Sequence, residues 1–132
     1  MKLNDFDYAT PADSGFELAI IDADGNDTDF IIELVGMDGS IYKNASKTIR
    51  SAEFKAEISD EGKADELMLR VHRLISCCVR GWRGLEDSEG NNIPFTKEKA
   101  FEIFSDDRFK IDEQVNTAIH SRDSYLKKKP NS

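Results

Sequence analysis

The stretch "DADGNDTDFIIE" sets Asp22, Asp24, Asn26, Thr28 and Glu33 at the first, third, fifth, seventh and twelfth places of a calcium-loop register. Calcium takes several oxygens at such offsets, with a carboxylate closing the site. The register is incomplete. The loop's glycine belongs at the sixth place, which holds Asp27, and the apolar eighth place holds Asp29. The flanking residues also favour strands over the helices of such a site, so a solvated hairpin loop is expected instead. A second candidate is Cys77-Cys78 with His72 close in sequence and His120 further on. A metal would need three or four ligands, and a thiol nucleophile would need a base and an oxyanion site. Neither set is marked out. Cys78 is expected as a small core residue and His72 as a residue of a helix surface. A third candidate is the row Arg70, Arg73 and Arg80 beside a basic helix carrying Lys43, Lys47, Arg50 and Lys55. The acids Glu53, Glu57, Asp65 and Glu66 interrupt those bases, which fits a mixed solvated face better than a nucleic-acid interface. There is no phosphate-binding glycine loop and no carboxylate pair that stands out. The residues predict no enzyme, no cofactor and no metal.

Charge and composition point the same way. The 132 residues suit one domain, and their formal net charge is −8. Up to Asp38 there are ten acids and one base, whereas the remainder has sixteen acids and seventeen bases. An acidic N-terminal third repels phosphates and predicts no nucleic-acid partner. It keeps the chain soluble or faces a basic partner. No apolar run approaches the length of a membrane span, and the opening "MKLNDFDYAT" does not read as a secretory signal. With two adjacent cysteines and no second pair, reduced thiols in the cytoplasm are expected.

The elements that must position these residues follow from the apolar periods. Residues 1–15 read as an acidic arm, either extended or a loosely held tail. "FELAII" (Phe16–Ile21) and "DFIIELV" (Asp29–Val35) read as two strands around a turn-rich loop. After Gly39 the period lengthens, and helices are predicted at roughly 40–56, 64–80, 97–104 and 111–126. Ser40 and Thr96 stand at N-cap positions of the first and third, and the first is expected to break near Ser59–Lys63. Leu67, Met68, Val71, Leu74, Ile75, Cys78 and Trp82 recur at helical steps, so Trp82 is placed at the end of the long helix. There it would pin the turn and the Phe95, Phe101 and Phe104 region, and leave an apolar edge for a partner. The expectation is α+β: an N-terminal β-hairpin followed by a small bundle of about four helices. The single domain would span 16–126, with a basic disordered tail at 127–132.

"GWRGLEDSEGNNIPFTKEKAFEIF" resembles the C-terminal segment of tail assembly chaperones and related small tail proteins of long-tailed bacteriophages and prophages. Trp82, Leu85, Glu86, Asp87, Gly90, Pro94, Phe95, Thr96 and Ala100 carry the likeness. "FIIELVGMDGSIYKNASKTIR" is similar to the strand and basic helix that precede it, so the likeness covers about residues 16–126. The resemblance implies a non-enzymatic assembly factor that binds the tape measure protein, and in some members the tail tube protein. The partner-binding residues expected are Trp82, Leu85, Pro94, Phe95 and Phe101. Neither nucleic acid nor a membrane is expected as a partner. It also implies, in some members, a longer frameshifted product, whose site here would be Lys127–Lys129. Other possibilities are a minor structural tail or head-to-tail component that stays in the particle, and a small calcium-binding protein.

Overall fold

The computed structural model describes residues 1–53 and 63–126. The predicted break at Ser59–Lys63 and the predicted tail at 127–132 therefore fall wholly or mainly outside the described residues. The architecture is α+β, as the periods predict. It has three antiparallel strands, β1 (Phe16–Ile21), β2 (Asp27–Leu34) and β3 (Val79–Arg83), in the order β1-β2-β3. The helices are α1 (Ala9–Ser14), α2 (Ser40–Glu53), α3 (Lys63–Cys77), α4 (Lys97–Phe104) and α5 (Ile111–Ile119).

Alternation decides which face of the sheet is buried. Ile20, Phe30, Ile32 and Leu34 are buried with Ile75, Cys78, Val79, Phe104, Val115 and Ile119. The other face carries Glu17, Glu33 and Arg83. The Arg83 guanidinium donates to both Glu17 carboxylate oxygens at 3.1 Å. This exposed cross-strand pair raises the Arg83 pKa, first through the Glu17 hydrogen bond.

Strand β3 corrects the expectation of a helix through residue 80. Val79 pairs with Leu34 and Gly81 with Glu33, so Arg80 is an extra residue bulged out of the ladder. The bulge puts Val79 and Trp82, three residues apart, on one face of a strand. A step of three on one face is also what a helix produces, which is why the stripe through Trp82 reads as helical. Where helix α3 ends at Cys77, the Lys97 ammonium donates to the carbonyls of Ser76 (3.4 Å), Cys77 (3.1 Å) and Val79 (3.3 Å). A cation there suits the negative end of the helix dipole.

The first fifteen residues are not extended. A 3-10 turn spans Leu3–Phe6, and α1 buries Ala12 completely. Asp13 reaches the start of α2, where its carboxylate accepts from Ser40 N (3.0 Å), Ser40 Oγ (2.8 Å) and Ile41 N (3.2 Å). The cap of α2 is thus a remote side chain and not Ser40. The approach leaves no room for a methyl at Gly39, which would be built into the Asp13 carboxylate. Burial opposes ionisation of Asp13, but the Ser40 and Ile41 bonds outweigh it and hold its pKa below the usual carboxylate value. Asp13→Ala should cost about 1–2 kcal/mol, the range for a lost helix cap. Urea denaturation checks this, and a change within a few tenths would mean that water replaces the cap.

The predicted last helix, 111–126, also shortens. Helix α5 ends at Ile119, and a 3-10 turn at Arg122–Ser124 redirects the chain. Its destination is Asp38, whose carboxylate accepts from Arg122 Nε (2.9 Å), Arg122 Nη2 (3.1 Å) and Tyr125 Oη (2.5 Å). The Arg122 bond is the main cause that keeps the Asp38 pKa below its usual 3.8. Burial first, and then the bond to Asp38, push Tyr125 up from 10.0 to about 12. The signs fix a pH window. Asp38 has a depressed folded pKa, so its contribution is present above 3.8 and is lost as pH falls through the folded value. Tyr125 has a raised one, so its contribution is present below 10.0 and is lost as pH rises through about 12. Denaturation midpoints should therefore fall at both ends of the pH scale. Tyr125→Phe should abolish the alkaline fall and, by removing one of the bonds that lower the Asp38 pKa, also soften the acid one. An unchanged alkaline limb in that variant would remove Tyr125 from the account.

Candidate partner-binding site

The calcium register falls on the β1–β2 hairpin. Asp22 Oδ1 accepts from Asp24 N and Asn26 N, both at 3.0 Å, while Gly25 N–H donates to Asp22 O. Glu33, the would-be closing ligand, lies along β2 opposite Glu17 and Gly81. The same turn recurs at Asp87–Asn91, where Asp87 Oδ1 accepts from Glu89 N and Asn91 N at 2.9 Å. "DADGN" and "DSEGN" are thus two copies of one Asp-x-x-Gly-Asn turn, each closed by a left-handed glycine. The spacing that resembles a cation loop is hairpin chemistry. Among the described residues, no three His, Cys, Asp or Glu side chains are grouped to hold a metal ion.

His72 is buried, which corrects its expected place on a helix surface. Its Nε2 lies 3.0 Å from Asp112 Oδ2 and its Nδ1 lies 3.3 Å from Ser105 Oγ. A carboxylate only accepts, so with Asp112 ionised Nε2 carries the proton and, in the neutral ring, Nδ1 accepts from the Ser105 hydroxyl. The chain Ser105–His72–Asp112 has the order of a hydrolytic triad but lacks its surroundings. Ser105 sits at the C-terminus of α4, and its own N–H donates back to Phe101 O at 3.0 Å. Carbonyl ends there disfavour an oxyanion, where a triad needs N–H donors. The three side chains instead tie α3, α4 and α5 together. The cysteines divide as expected for Cys78, which is buried. Burial first, then the neighbouring Cys77 thiol, push its pKa up to about 12. Cys77 is exposed. The arginine row divides too. Arg80 Nη1 donates to Asp13 O and Ser14 O on the far side of β3, and Arg73 stays on α3.

The five expected partner residues separate into two places. Trp82 is half-buried on β3, edge-on to Phe30 (5.8 Å) and Phe95 (5.1 Å). Its Nε1–H donates to Ile93 O at 2.9 Å. Leu85 and Phe95 are half-buried and pack on the core, while Pro94 is exposed. Leu85 O also accepts from Ile93 N at 2.8 Å, closing the small hairpin that carries the acidic turn. Phe101 lies elsewhere. With Ile49, Arg73, Ser76, Cys77 and Lys97 it lines a largely apolar groove of about 430 Å³ among α2, α3 and α4. Sequence spacing shows Phe101 only as an inward residue of α4, because the groove forms where three helices from different parts of the chain meet.

Among the described residues no helix is long and apolar enough to cross a membrane. No curated protein and no solved structure matches the chain. The profile of the YdaY prophage protein family matches residues 37–123, from the turn after β2 to the turn after α5. The match supports the prophage origin implied by the resemblance and stops short of any particular role in tail assembly. Since it covers more than half of the chain, this protein belongs to the YdaY prophage protein family.

Proposed function

We propose that this prophage protein is a non-enzymatic tail assembly chaperone that holds the tape measure protein soluble before the tail tube forms around it. The observation that carries the proposal is the apolar groove on the helical side, bounded by Ile49, Cys77 and Phe101. Exposed Leu67, Met68 and Leu69 on α3 add apolar surface. A small acidic protein with such a face suits a long amphipathic helical client, which aggregates when its own apolar stripe is uncovered. The test is co-expression with the tape measure protein of the same prophage, followed by mass spectrometry of purified particles. A chaperone keeps the tape measure protein in the soluble fraction and is absent from particles. Stoichiometric recovery in particles would replace the proposal by a minor structural component of the tail or the head-to-tail joint.

A further inference from the structure

Strand β1 is an edge of the sheet, paired with β2 on one side only. The Ile21 N–H donates to Gln114 Oε1 at 2.9 Å, and Gln114 Nε2 donates to Ile21 O at 3.0 Å. Ile21 therefore turns its backbone away from β2, and one side-chain amide stands in for a neighbouring strand. Ile20 turns the other way, since Ile20 O accepts from Thr28 Oγ1 at 2.6 Å. Backbone direction alternates along a strand. Glu17 and Ala19 thus share the direction of Ile21, and Leu18 shares that of Ile20. The parity of β2 agrees. Val35 N donates to Cys78 O at 3.0 Å, so residues 31, 33 and 35 turn toward β3, and Ile32 and Leu34 turn toward β1. The N–H and C=O groups of Glu17 and Ala19 point off the sheet, and among the described residues no strand takes them. Space lies beside them. Leu18, Ala19, Thr117, Ala118 and Ser121 line a groove of about 480 Å³ between this edge and α5. Neither lysine nor proline, the usual guards of an edge, occurs from Phe16 to Ile21. The one charge there, Glu17, is drawn to Arg83 of its own sheet.

We infer that β1 pairs antiparallel with β1 of a second copy, with Leu18 on the two-fold axis. The edge is self-complementary in that register and in no neighbouring one. Odd residues must meet odd residues, because they carry the free backbone groups. Glu17 opposite Glu17 would set two carboxylates side by side. Glu17 opposite Ile21 would need the groups that Gln114 already holds. Glu17 opposite Ala19 meets neither obstacle, and each such pair exchanges two backbone bonds. The usable lengths also match. Gln114 closes the edge at Ile21, and at the other end Gly15, with a φ of 87°, turns the chain out of the strand. In the proposed register residue 15 of one copy falls opposite Ile21 of the other, so the second strand has already left the ladder where Gln114 blocks it. Leu18 meets its own copy at the axis and covers the apolar floor of the groove. The two sheets join edge to edge in a closed, isologous contact. This edge is separate from the groove at Phe101, so the inference neither needs nor tests the chaperone reading.

The test is sedimentation of the full chain over a concentration series, joined to amide exchange at the edge. Twice the mass of one chain is expected at high concentration, where the Glu17 and Ala19 amides should exchange more slowly than in dilute solution. Ala19→Pro removes an N–H that a single copy leaves unpaired, so the fold tolerates it. The dimer Kd should then rise about tenfold or more. Two charges check the register, because residue 19 lies opposite Glu17 of the other copy. Ala19→Glu should raise the Kd about fivefold, and Ala19→Lys should lower it by about as much, a gain that salt removes. Both side chains point to solvent in a single copy, and unchanged circular dichroism checks that the variants fold. A single-chain mass throughout the millimolar range overturns the inference and leaves the edge to some other extended segment. A dimer that ignores all three substitutions overturns it as well, since the contact then lies elsewhere. So does equal weakening by Ala19→Glu and Ala19→Lys, which a register with Glu17 opposite residue 19 does not allow.

Discussion

Trp82→Ala is expected to destabilise the protein by about 3 kcal/mol, the lower end for a truncated large aromatic because the indole is half-buried. Three losses combine. The ring leaves the edge-to-face contacts with Phe30 and Phe95. The Ile93 carbonyl loses its Nε1–H donor at 2.9 Å. The hairpin carrying Leu85 and Ile93 also loses the ring that holds it against the sheet. Trp82→Phe separates these, since it keeps a ring and removes only the donor. It should cost about 1–2 kcal/mol. Urea denaturation followed by far-ultraviolet circular dichroism measures both variants. A loss under about 1 kcal/mol for Trp82→Ala would place the indole on a partner surface and return it to the binding site.

Gly36→Ala is expected to have a comparable effect, about 3 kcal/mol, at the upper end of overpacking costs. A methyl on Gly36 would be built into the Tyr125 ring, which packs directly against that backbone. The ring cannot yield without breaking the Tyr125–Asp38 hydrogen bond. Two further readouts distinguish this from a general core defect. Tyrosine absorbance titration should show Tyr125 falling from about 12 toward its usual 10.0 as its burial and its Asp38 partner are lost. Gly36→Ala combined with Tyr125→Ala should cost less than the sum of the two single changes, because removing the ring makes room for the methyl. Strict additivity, with Tyr125 titrating unchanged, would show that the close approach is relieved elsewhere.

Legibility in the sequence follows the range of the interactions. Strand β1 and helix α4 have the bounds that their residues predict, Phe16–Ile21 and 97–104. Both are set locally. β1 follows a period of two, and α4 is capped by Thr96, whose side chain accepts from Lys99 N at 3.0 Å. The repeated Asp-x-x-Gly-Asn turn was equally available as a local pattern, although its first copy invites a calcium reading when taken alone.

By itself the sequence determined the α+β class, the N-terminal hairpin, the start of each helix from α2 onward to within a residue, and the burial of Cys78. Each depends on apolar period, turn residues or a cap within a few positions. Tertiary structure decided the rest. The stripe from Leu67 to Ile75 is helical as its spacing predicts, but its continuation to Trp82 is a third strand, in which the bulged Arg80 puts Val79 and Trp82 on one face. Asp13 caps a helix that begins 27 residues later, Asp38 receives Arg122 from 84 residues away, and His72 meets Asp112 across 40. Phe101 parted from Trp82 because α4 turns one side toward α2 and α3 while β3 turns Trp82 toward Phe30 and Phe95. Such pairings carry no periodic trace, since a hydrogen bond or a packed ring depends on where distant backbones are brought together and not on the spacing of residues along either one.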